Sequence, residues 1–507
     1  MADNKPIQPP TGTRDLYPIE AARRRFITEA WRRASINHGF EEVDGPTFES
    51  TELYTKKSGE GIVSEIFGVF SGKDEQGVKA LGEKLARGED APAPYALRPE
   101  FTPTLARLYA AKAASLPKPT KWFTAGPFFR AERPQRGRLR EFLQWNCDVI
   151  GLALPEKPTP DDVARATAQA DAEVIAACVG LLRELGLSPQ SVKVRWSHRG
   201  LISAMLTDRL EIPQERVASW LVWIDRYNKL DPTERVQQAV AIGGDETLAR
   251  RVAALVGLVS PAESTSQAIA ELQRQGRQDV IEDEQRRAAR LAESLEKTGV
   301  VAASALFEHQ LAQIGLSDWC VFDPSIARGL AYYTGMVFEV IVDGERAVAG
   351  GGRYDNLIEL FGGPSTPAVG FGMGDVVLSL VLQDKGLMPS DAELMQIAGQ
   401  SPDVFVISNG TPEADAALPA VLADLRRGTR ESRGRDSLHA RRTNKTTKNV
   451  GKLLQEAEKS GAHFAAIVES AGEVTLKNLR TREQDQARTP IASLKAEVLK
   501  RLGRMGT

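Results

Sequence analysis

Two strand-rich segments on either side of a long helical stretch constrain the fold of this chain more than any other feature. Residues 95–150 show a strand pattern, and strand patterns return at 319–343, before a glycine-rich stretch at 349–374. Between them, residues 205–318 are dominated by Ala, Leu, Glu, Arg and Gln, which favour helix. This order predicts one β-rich domain that is interrupted by a helical insertion.

A chain of 507 residues is too long for a single core, so two or three domains are expected. Beyond a segment marked by Pro and Gly, strand and helix patterns alternate, which is typical of a small α/β domain. The predicted division is 1–204 for the first part of the β-rich domain, 205–318 for the insertion, 319–385 for its second part, 386–402 for a linker and 403–507 for the C-terminal domain.

The composition excludes several classes of protein. A net charge of -2 gives no overall positive field, so any nucleic-acid surface has to be a local patch. The three cysteines lack CxxC spacing and the five histidines are scattered, so we expect neither a disulfide framework nor a zinc site. The sequence has no apolar run of membrane-spanning length and no signal-peptide pattern. We therefore expect a cytoplasmic protein without membrane contact.

Two of the predicted strands, 95–102 and 141–151, have one polar and one apolar face. A period of two places three polar side chains of each strand on the same side of a sheet. Such alternation is most often a half-solvated antiparallel sheet, so a solvated face and a ligand site both stay open. The polar residues are Arg98, Glu100 and Thr102 in the first segment, and Gln144, Asn146 and Asp148 in the second.

The loop between the strands near 129 and 141 is rich in arginine. Guanidinium groups bind phosphate oxygens two at a time, so the loop suits a phosphate-bearing ligand beside the polar face. A solvated hairpin tip is the alternative interpretation. The arginines are Arg130, Arg133, Arg136, Arg138 and Arg140.

Two further clusters belong to the second strand-rich segment. Arg328 precedes Tyr332 and Tyr333, a pair that is either core or the wall of a pocket. The glycine-rich stretches 349–357 and 368–375 lack the dinucleotide fingerprint, and we interpret their glycines as room for a flat ligand such as adenine.

A basic segment lies in the C-terminal domain. Residues 426–448 contain nine Arg or Lys and carry a charge of +7. Contact with a phosphate backbone is the favoured use, and a solvated loop is the alternative.

Several motifs together resemble one known family. LRPEFTPTLAR and GPFFRAERPQRGRLREF resemble motif 2 of class II aminoacyl-tRNA synthetases. With ARGLAYYTG and GGRYD, the chain resembles the histidyl-tRNA synthetase family in particular. PPTGTRDLYP and GFEEVDGPTFESTELY are similar to that family as well, the latter as motif 1 with Pro46 at a dimer interface. The resemblance covers nearly the whole chain and is weakest in 205–318.

The resemblance implies an α+β fold with an antiparallel six-stranded catalytic sheet, flanking helices, a helical insertion and a C-terminal α/β anticodon-binding domain. It implies a homodimer that activates L-histidine with ATP to histidyl-adenylate and transfers it to the 3' end of tRNA(His). Mg²⁺ is expected with ATP, without zinc and without a metal site made by protein alone.

The resemblance also implies roles for particular residues. Arg130 and Arg328 would be catalytic, and Gln135 and Arg136 would touch the tRNA acceptor end. The histidine-binding residues would be Glu100, Thr102, Arg130, Gln144, Asp148, Arg328, Tyr332 and Tyr333. The ATP-binding residues would be Arg130, Arg138, Phe142 and Arg328. Family members often carry glutamate where this chain has Asp148.

One motif departs from the family pattern. Motif 3 normally supplies an arginine to the γ-phosphate of ATP, and the corresponding position here is Val377. Arg138 and Arg140 are the candidate substitutes. Three alternatives stay open: a non-catalytic paralogue such as the regulatory subunit of ATP phosphoribosyltransferase, a tRNA-binding sensor, and a class II enzyme for threonine or proline. Residues 403–507 and ARGLAYYTG count against the paralogue.

Overall fold

The computed structural model describes residues 6–58, 65–71, 75–88, 93–257, 278–328, 332–342, 347–429, 434–445 and 447–504. The chain forms two compact units. The first comprises Met1–Asp15 and Ile27–Leu387, and the second comprises Leu16–Phe26 and Met388–Thr507.

The first unit contains an eight-stranded sheet of order β1-β5-β6-β11-β10-β9-β7-β8 and a separate three-stranded sheet of order β2-β4-β3. The strands are β1 Glu41–Glu42, β2 Phe48–Ser50, β3 Gly68–Val69, β4 Tyr95–Leu97, β5 Thr120–Phe129, β6 Glu141–Ile150, β7 Lys193–His198, β8 Cys320–Phe322, β9 Met336–Ile341, β10 Ala349–Arg353 and β11 Ala368–Gly374. The middle six are all antiparallel, whereas β1 and β8 add parallel edges. The expected antiparallel six-stranded sheet is confirmed, with these two edge strands in addition.

Helices flank the sheet and fill the insertion. Those up to residue 387 are α1 Pro18–Asn37, α2 Thr51–Ser58, α3 Glu75–Ala86, α4 Thr102–Lys112, α5 Pro160–Glu184, α6 Arg199–Ala204, α7 Gln214–Arg226, α8 Pro232–Ala241, α9 Glu246–Leu255, α10 Gln278–Thr298, α11 Val300–Gln313, α12 Leu357–Leu360 and α13 Asp375–Asp384. A π-helical turn at Met205–Arg209 and a 3-10 turn at Tyr227–Lys229 join the insertion helices.

The apolar face of β6 packs against helix α1. The ring of Trp145 stacks on Trp31 with centroids 6.3 Å apart, and its indole N–H donates to Ser35 Oγ over 2.8 Å. The odd-numbered residues of β6 therefore face helix, which leaves the even-numbered polar residues on the opposite face of the sheet.

The expected strand at 95–102 is wrong beyond Leu97, because helix α4 begins at Thr102 with proline in its first turn. The Arg98 side chain is 1% exposed and forms an ion pair with Asp44 over 2.7 Å. Its Nε also donates to the Pro127 carbonyl over 2.9 Å. Arg98 is thus a buried structural residue and does not share a strand face with Glu100 and Thr102.

The segment 205–318 divides into two packing environments. The rings of Trp220 and Trp223 lie 5.2 Å apart in a core that α7, α8 and α9 share, and Ala327 belongs to that core. Helix α11 instead packs on the main sheet, where Phe307 meets Trp196 of β7 with centroids 4.8 Å apart. The insertion therefore touches the chain just before Arg328.

The second unit contains a five-stranded sheet of order β13-β12-β14-β15-β16. Its strands are β12 Val404–Ser408, β13 Ala440–Arg442, β14 Phe464–Val468, β15 Glu473–Asn478 and β16 Thr489–Pro490, and its helices are α14 Asp391–Ile397, α15 Pro412–Arg426, α16 Val450–Lys459 and α17 Ile491–Arg501. Helix α14 falls inside the segment expected as a linker. In the described part of the chain, no helix is long and apolar enough to cross a membrane.

Candidate active site

The polar face of β6 forms the floor of the candidate site. Gln144, Asn146 and Asp148 are all buried there, and the Gln144 amide donates to Asn146 Oδ1 over 2.9 Å. Asp148 pairs in register with Gly370 of β11. A Cβ at Gly370 would lie 1.8 Å from Asp148 Oδ1. That glycine therefore makes room for the carboxylate, and our interpretation of the 368–375 glycines as space for adenine is wrong at this position.

Asp148 has a partner that the sequence did not reveal. The Tyr354 hydroxyl donates to Asp148 Oδ1 over 2.5 Å, and both side chains are buried. Burial raises the pKa of the Asp148 carboxyl to about 7, although the hydrogen bond from Tyr354 opposes the rise. Tyr354 belongs to GGRYD, directly after the glycine-rich strand, and that position next to predicted site strands was the available signal.

An aromatic wall joins Asp148 to Glu100. The rings of Tyr332 and Tyr333 lie 4.7 Å apart, and Tyr332 meets Tyr354 edge-on at 6.1 Å. The Tyr332 hydroxyl donates to Glu100 Oε2 over 3.3 Å. The structure thus brings together residues that lie more than two hundred positions apart in sequence, and it places the carboxylates of Glu100 and Asp148 beside aromatic rings.

Arg328 is held in an uncommon backbone conformation beside this wall. Its φ is 46°, in the left-handed region that costs a non-glycine residue free energy. Its Nη1 forms an ion pair with Glu339 of β9 over 2.7 Å, and its carbonyl accepts from Arg199 over 3.3 Å. Residues 329–331 of the ARGLAYYTG motif lie outside the described residues. Glu339, which the sequence analysis missed, orients the Arg328 guanidinium.

Arg130 and Phe142 lie together where β5 ends and β6 begins, next to the loop that joins the two strands. The Arg130 guanidinium carbon is 5.3 Å from the centre of the Phe142 ring, and its Nε donates to the Pro99 carbonyl over 3.1 Å. Phe142 also packs against Phe128, with ring centroids 6.4 Å apart. An arginine and an aromatic face at one strand end suit a ligand that has both phosphate and a planar base.

Arginines of the loop between β5 and β6 form hydrogen bonds and ion pairs, most of them within the loop itself. Arg138 forms an ion pair with Glu132, while Gln135 and Arg138 form a short antiparallel bridge. Arg140 Nε donates to the Glu132 carbonyl over 3.1 Å. Arg136 pairs with Asp384 over 2.6 Å, and both of these side chains are exposed. An exposed ion pair of this kind contributes little to stability.

Helix α13 begins where β11 ends, next to the first residues of β6. Asp375 is its first residue, and one carboxylate oxygen accepts the Leu143 N–H over 2.9 Å. The other oxygen pairs with Arg14 over 2.8 Å. Val377, at the position where the motif 3 arginine was expected, is 8% exposed and apolar.

Pro46 lies on an exposed stretch between β1 and β2. Nearby, Phe48 of β2 and Tyr95 of β4 are both exposed and meet edge-on with ring centroids 5.9 Å apart. Exposed aromatic pairs of this kind are common in protein interfaces.

Several of the basic side chains in 426–448 form hydrogen bonds or ion pairs within the protein. Arg426 donates from Nε and Nη2 to the Ala440 carbonyl over 2.9 and 2.8 Å, which fixes β13 against the end of α15. Lys445 and Lys448 lie 3.2 and 3.3 Å from carboxylate oxygens of Glu456 and Asp415. The net charge of the segment therefore overstates what it offers to a ligand.

Two arginines of the same segment remain exposed on β13. They are Arg441 and Arg442, and Arg441 Nε donates to the ring of His439 over 3.0 Å. Arg430 and Arg433 lie outside the described residues.

Comparisons with known proteins agree on one family. A sequence model of the family described as Histidyl-tRNA synthetase matches residues 12–375. A histidine–tRNA ligase of Halobacterium salinarum is 33% identical over 490 residues, which cover 95% of each chain.

Solved structures show the same fold. A histidyl-tRNA synthetase from Nostoc sp. PCC 7120 superposes with a TM-score of 0.65 at 21% identity, covering 98% of this chain and 100% of that one. A Bacillus halodurans C structure, named ATP phosphoribosyltransferase regulatory subunit/histidyl-tRNA synthetase, gives a TM-score of 0.57 at 19% identity, covering 89% of this chain and 97% of that one. Since the family model spans most of this chain and a relative is a third identical along nearly all of it, the chain belongs to the histidyl-tRNA synthetase family of ligases.

Proposed function

We propose that this chain activates L-histidine with ATP to histidyl-adenylate and then transfers the histidyl group to the 3' end of tRNA(His). The observation that carries the proposal is the buried Asp148–Tyr354 pair on the polar face of β6, beside the ring of Tyr332. An imidazole needs a hydrogen-bond acceptor beside flat apolar surface, and this arrangement offers both.

Each part of histidine has a candidate partner in the site. Glu100, Thr102 and Gln144 are proposed to bind the α-ammonium, since a carboxylate, a hydroxyl and an amide oxygen all accept its protons. Asp148 and Tyr333 are proposed to meet the imidazole, with Tyr332 as the neighbouring wall. The aspartate is shorter than the glutamate of many relatives, and the Tyr354 hydroxyl fixes its orientation.

The first chemical step needs positioning and positive charge. A histidine carboxylate oxygen attacks the α-phosphorus of ATP, the bond from that phosphorus to the bridging oxygen breaks, and pyrophosphate leaves. Because the carboxylate is already ionised at pH 7, no general base is required. Arg130 and Arg328 are proposed to hold the carboxylate and the α-phosphate, and Phe142 to stack on adenine. Arg138 is a proposed ATP contact from the loop.

In the second step a ribose hydroxyl of the terminal adenosine attacks the adenylate carbonyl carbon, and AMP leaves. Gln135 and Arg136 stand near the tip of the β5–β6 loop, where the acceptor end is proposed to bind. Arg136 forms an exposed ion pair with Asp384, and exposed pairs of this kind contribute little to stability, so it is proposed to exchange this partner for a tRNA phosphate.

Magnesium is proposed to arrive as part of the ATP complex. Among the described residues, no three His, Cys, Asp or Glu side chains are grouped as metal ligands. Asp375, at the strand ends, already bonds Leu143 and Arg14. Mg²⁺ usually keeps several waters and binds substrate phosphates, so it neutralises phosphate charge without a protein cage. No zinc is required by this scheme.

The assembly and location of the enzyme are part of the same proposal. The exposed surface at Pro46, Phe48 and Tyr95 is proposed as the homodimer interface, since it would bury an aromatic pair. The second unit is proposed to bind the anticodon. The cytoplasm is proposed as the location of the reaction, in keeping with its proposed substrates ATP and tRNA(His).

A regulatory paralogue is the second candidate. It is favoured by the loss of the motif 3 arginine at Val377 and by the likeness to the Bacillus halodurans structure. The separate α/β unit beyond Met388 and the intact Arg130, Arg328 and Glu100 favour the enzyme instead.

Aminoacylation of a tRNA(His) transcript with labelled histidine tests the proposal. A transcript whose terminal ribose is oxidised serves as the control, because it lacks the attacking hydroxyl. Ester formation on the intact transcript alone is the expected result. ATP consumption with histidine but without ester formation would contradict the transfer step. Absence of both ATP consumption and ester formation would favour the regulatory paralogue.

A further inference from the structure

The segment Thr11–Arg14 is fixed against the base of the β5–β6 loop. The Gly12 carbonyl accepts the backbone N–H of Arg140 over 2.8 Å, and the Thr11 carbonyl accepts Arg140 Nη1 over 3.4 Å. Gly12 has a φ of +87°, and a Cβ there would lie 2.7 Å from Pro134. Glycine is therefore required for this approach, and the contact places Arg14 at one defined position.

Arg14 is connected through Asp375 to Leu143 of β6, the residue next to the proposed adenine contact Phe142. Its Nη2 pairs with Asp375 Oδ2 over 2.8 Å, while the other oxygen of Asp375 accepts the N–H of Leu143, the neighbour of Phe142. The Asp375 side chain is 4% exposed and that of Arg14 is 34% exposed. The buried carboxylate of Asp375 thus orients the Arg14 guanidinium, which remains partly exposed to solvent near the start of β6.

We propose that Arg14 binds the far phosphates of ATP, and the pyrophosphate formed from them, in place of the arginine missing at Val377. The inference rests on the proposed function, since it assigns a residue to that same ATP site. Arg14 contacts the start of helix α13 through its ion pair with Asp375, and Val377 lies in the first turn of that helix. The first turn of a helix also favours anions through its free N–H groups.

The other arginines of this region are less suited to the role. Arg138 is paired with Glu132, and Arg140 donates to the carbonyls of Glu132 and Thr11. Arg130 is assigned to the α-phosphate. Within the described part of the chain, Arg14 uses one nitrogen in its ion pair with Asp375. The remaining N–H groups of its planar fork can bind phosphate oxygens.

Direct binding of ATP and AMP separates this role from a structural one. Arg14→Ala is expected to weaken ATP binding roughly ten- to hundredfold, as for a lost charge-assisted hydrogen bond, and to leave AMP binding unchanged. The KM for pyrophosphate in the reverse reaction should rise to a similar extent. Arg14→Lys should recover part of both, because it keeps the charge and loses the fork. Arg32→Ala, which removes a half-exposed ion pair with Glu42, is the matched control and should change neither.

Equal weakening of ATP and AMP would show that Arg14 only supports the fold, and unchanged ATP binding would show that it meets no phosphate. Either result overturns the inference. A wild-type chain that binds ATP more tightly than AMP through Arg14, yet never activates histidine, would instead overturn the proposed function and leave this inference standing.

Discussion

The Tyr354 hydroxyl donates a hydrogen bond to the Asp148 carboxylate over 2.5 Å, on the buried polar face of the main sheet. Tyr354 follows β10 and Asp148 lies on β6, so the contact depends on β11 between them. Gly370 of β11 leaves the space that the carboxylate occupies. The pair gives a short acidic side chain a fixed orientation at the proposed imidazole site.

Tyr354→Phe tests the positioning role of this hydroxyl. Loss of one hydrogen bond to a charged group is expected to raise the KM for histidine about tenfold. The KM for ATP should stay unchanged, because the Tyr354 hydroxyl bonds Asp148, at the proposed imidazole site. Steady-state pyrophosphate exchange measures both. An equal rise in both constants would mean that the phenylalanine disturbs the whole sheet.

Asp148 should make the stability of the protein depend on pH. Its folded pKa of about 7 lies above the ordinary value of 3.8, so between these values the folded state holds a proton that the unfolded state releases. The free energy of unfolding of the wild type, relative to Asp148→Asn, is therefore expected to fall as pH rises from about 4 to about 7 and then to level off.

Denaturant unfolding of both proteins between pH 5 and 8 measures this difference, which should be on the order of a few kcal/mol in total. The asparagine variant should also lose histidine activation, because an amide cannot supply the same charge. A wild type whose free energy of unfolding, relative to Asp148→Asn, rises with pH would contradict the assignment.

Arg328→Ala is expected to abolish histidine-dependent exchange while the protein stays folded. Arg328→Gly is the matched variant, because it removes the same charge and also suits a φ of 46°. Both should be inactive, and the glycine variant should be the more stable by roughly 1 kcal/mol. Exchange near the wild-type rate in either variant would remove Arg328 from the mechanism.

Glu339→Gln should act through Arg328. It keeps the shape of the side chain but removes the charge that holds the guanidinium at 2.7 Å. We expect a lower kcat with a folded protein, and partial recovery in Glu339→Asp. A Glu339→Gln variant with unaltered kinetics would show that Arg328 needs no such partner.

The exposed arginines of β13 are expected to serve tRNA binding. Arg441→Ala combined with Arg442→Ala should weaken tRNA(His) binding several-fold and reduce its salt dependence, since two phosphate contacts would be lost. Pyrophosphate exchange should not change. Arg488→Ala, an exposed arginine paired with Glu473 in the same unit, is the control. Unchanged tRNA affinity in the double variant would count against this surface.

The sequence predicted the strand at 141–151 and its polar face because period-two alternation is a local property. It failed at 95–102, where alternation continued into the first turn of α4 and Arg98 was buried by Asp44, a partner distant in sequence. Pro103 was the local signal for that helix start.

The partners of these site residues could not be predicted from the sequence. Tyr354, Glu339 and Arg14 are each connected to the site by one contact, with Asp148, Arg328 and Asp375 respectively. Each contact joins segments that only the folded first unit brings together. Periodicity and motifs can be recognised in a single sequence, whereas the order of the strands in the sheet cannot.

Pyrophosphate exchange with ATP, measured for each of the twenty amino acids in turn, tests the central claim most directly. The proposed site predicts exchange with histidine alone, because Asp148 and the tyrosine wall require an imidazole. Exchange with another amino acid in place of histidine, or with none, would contradict the account.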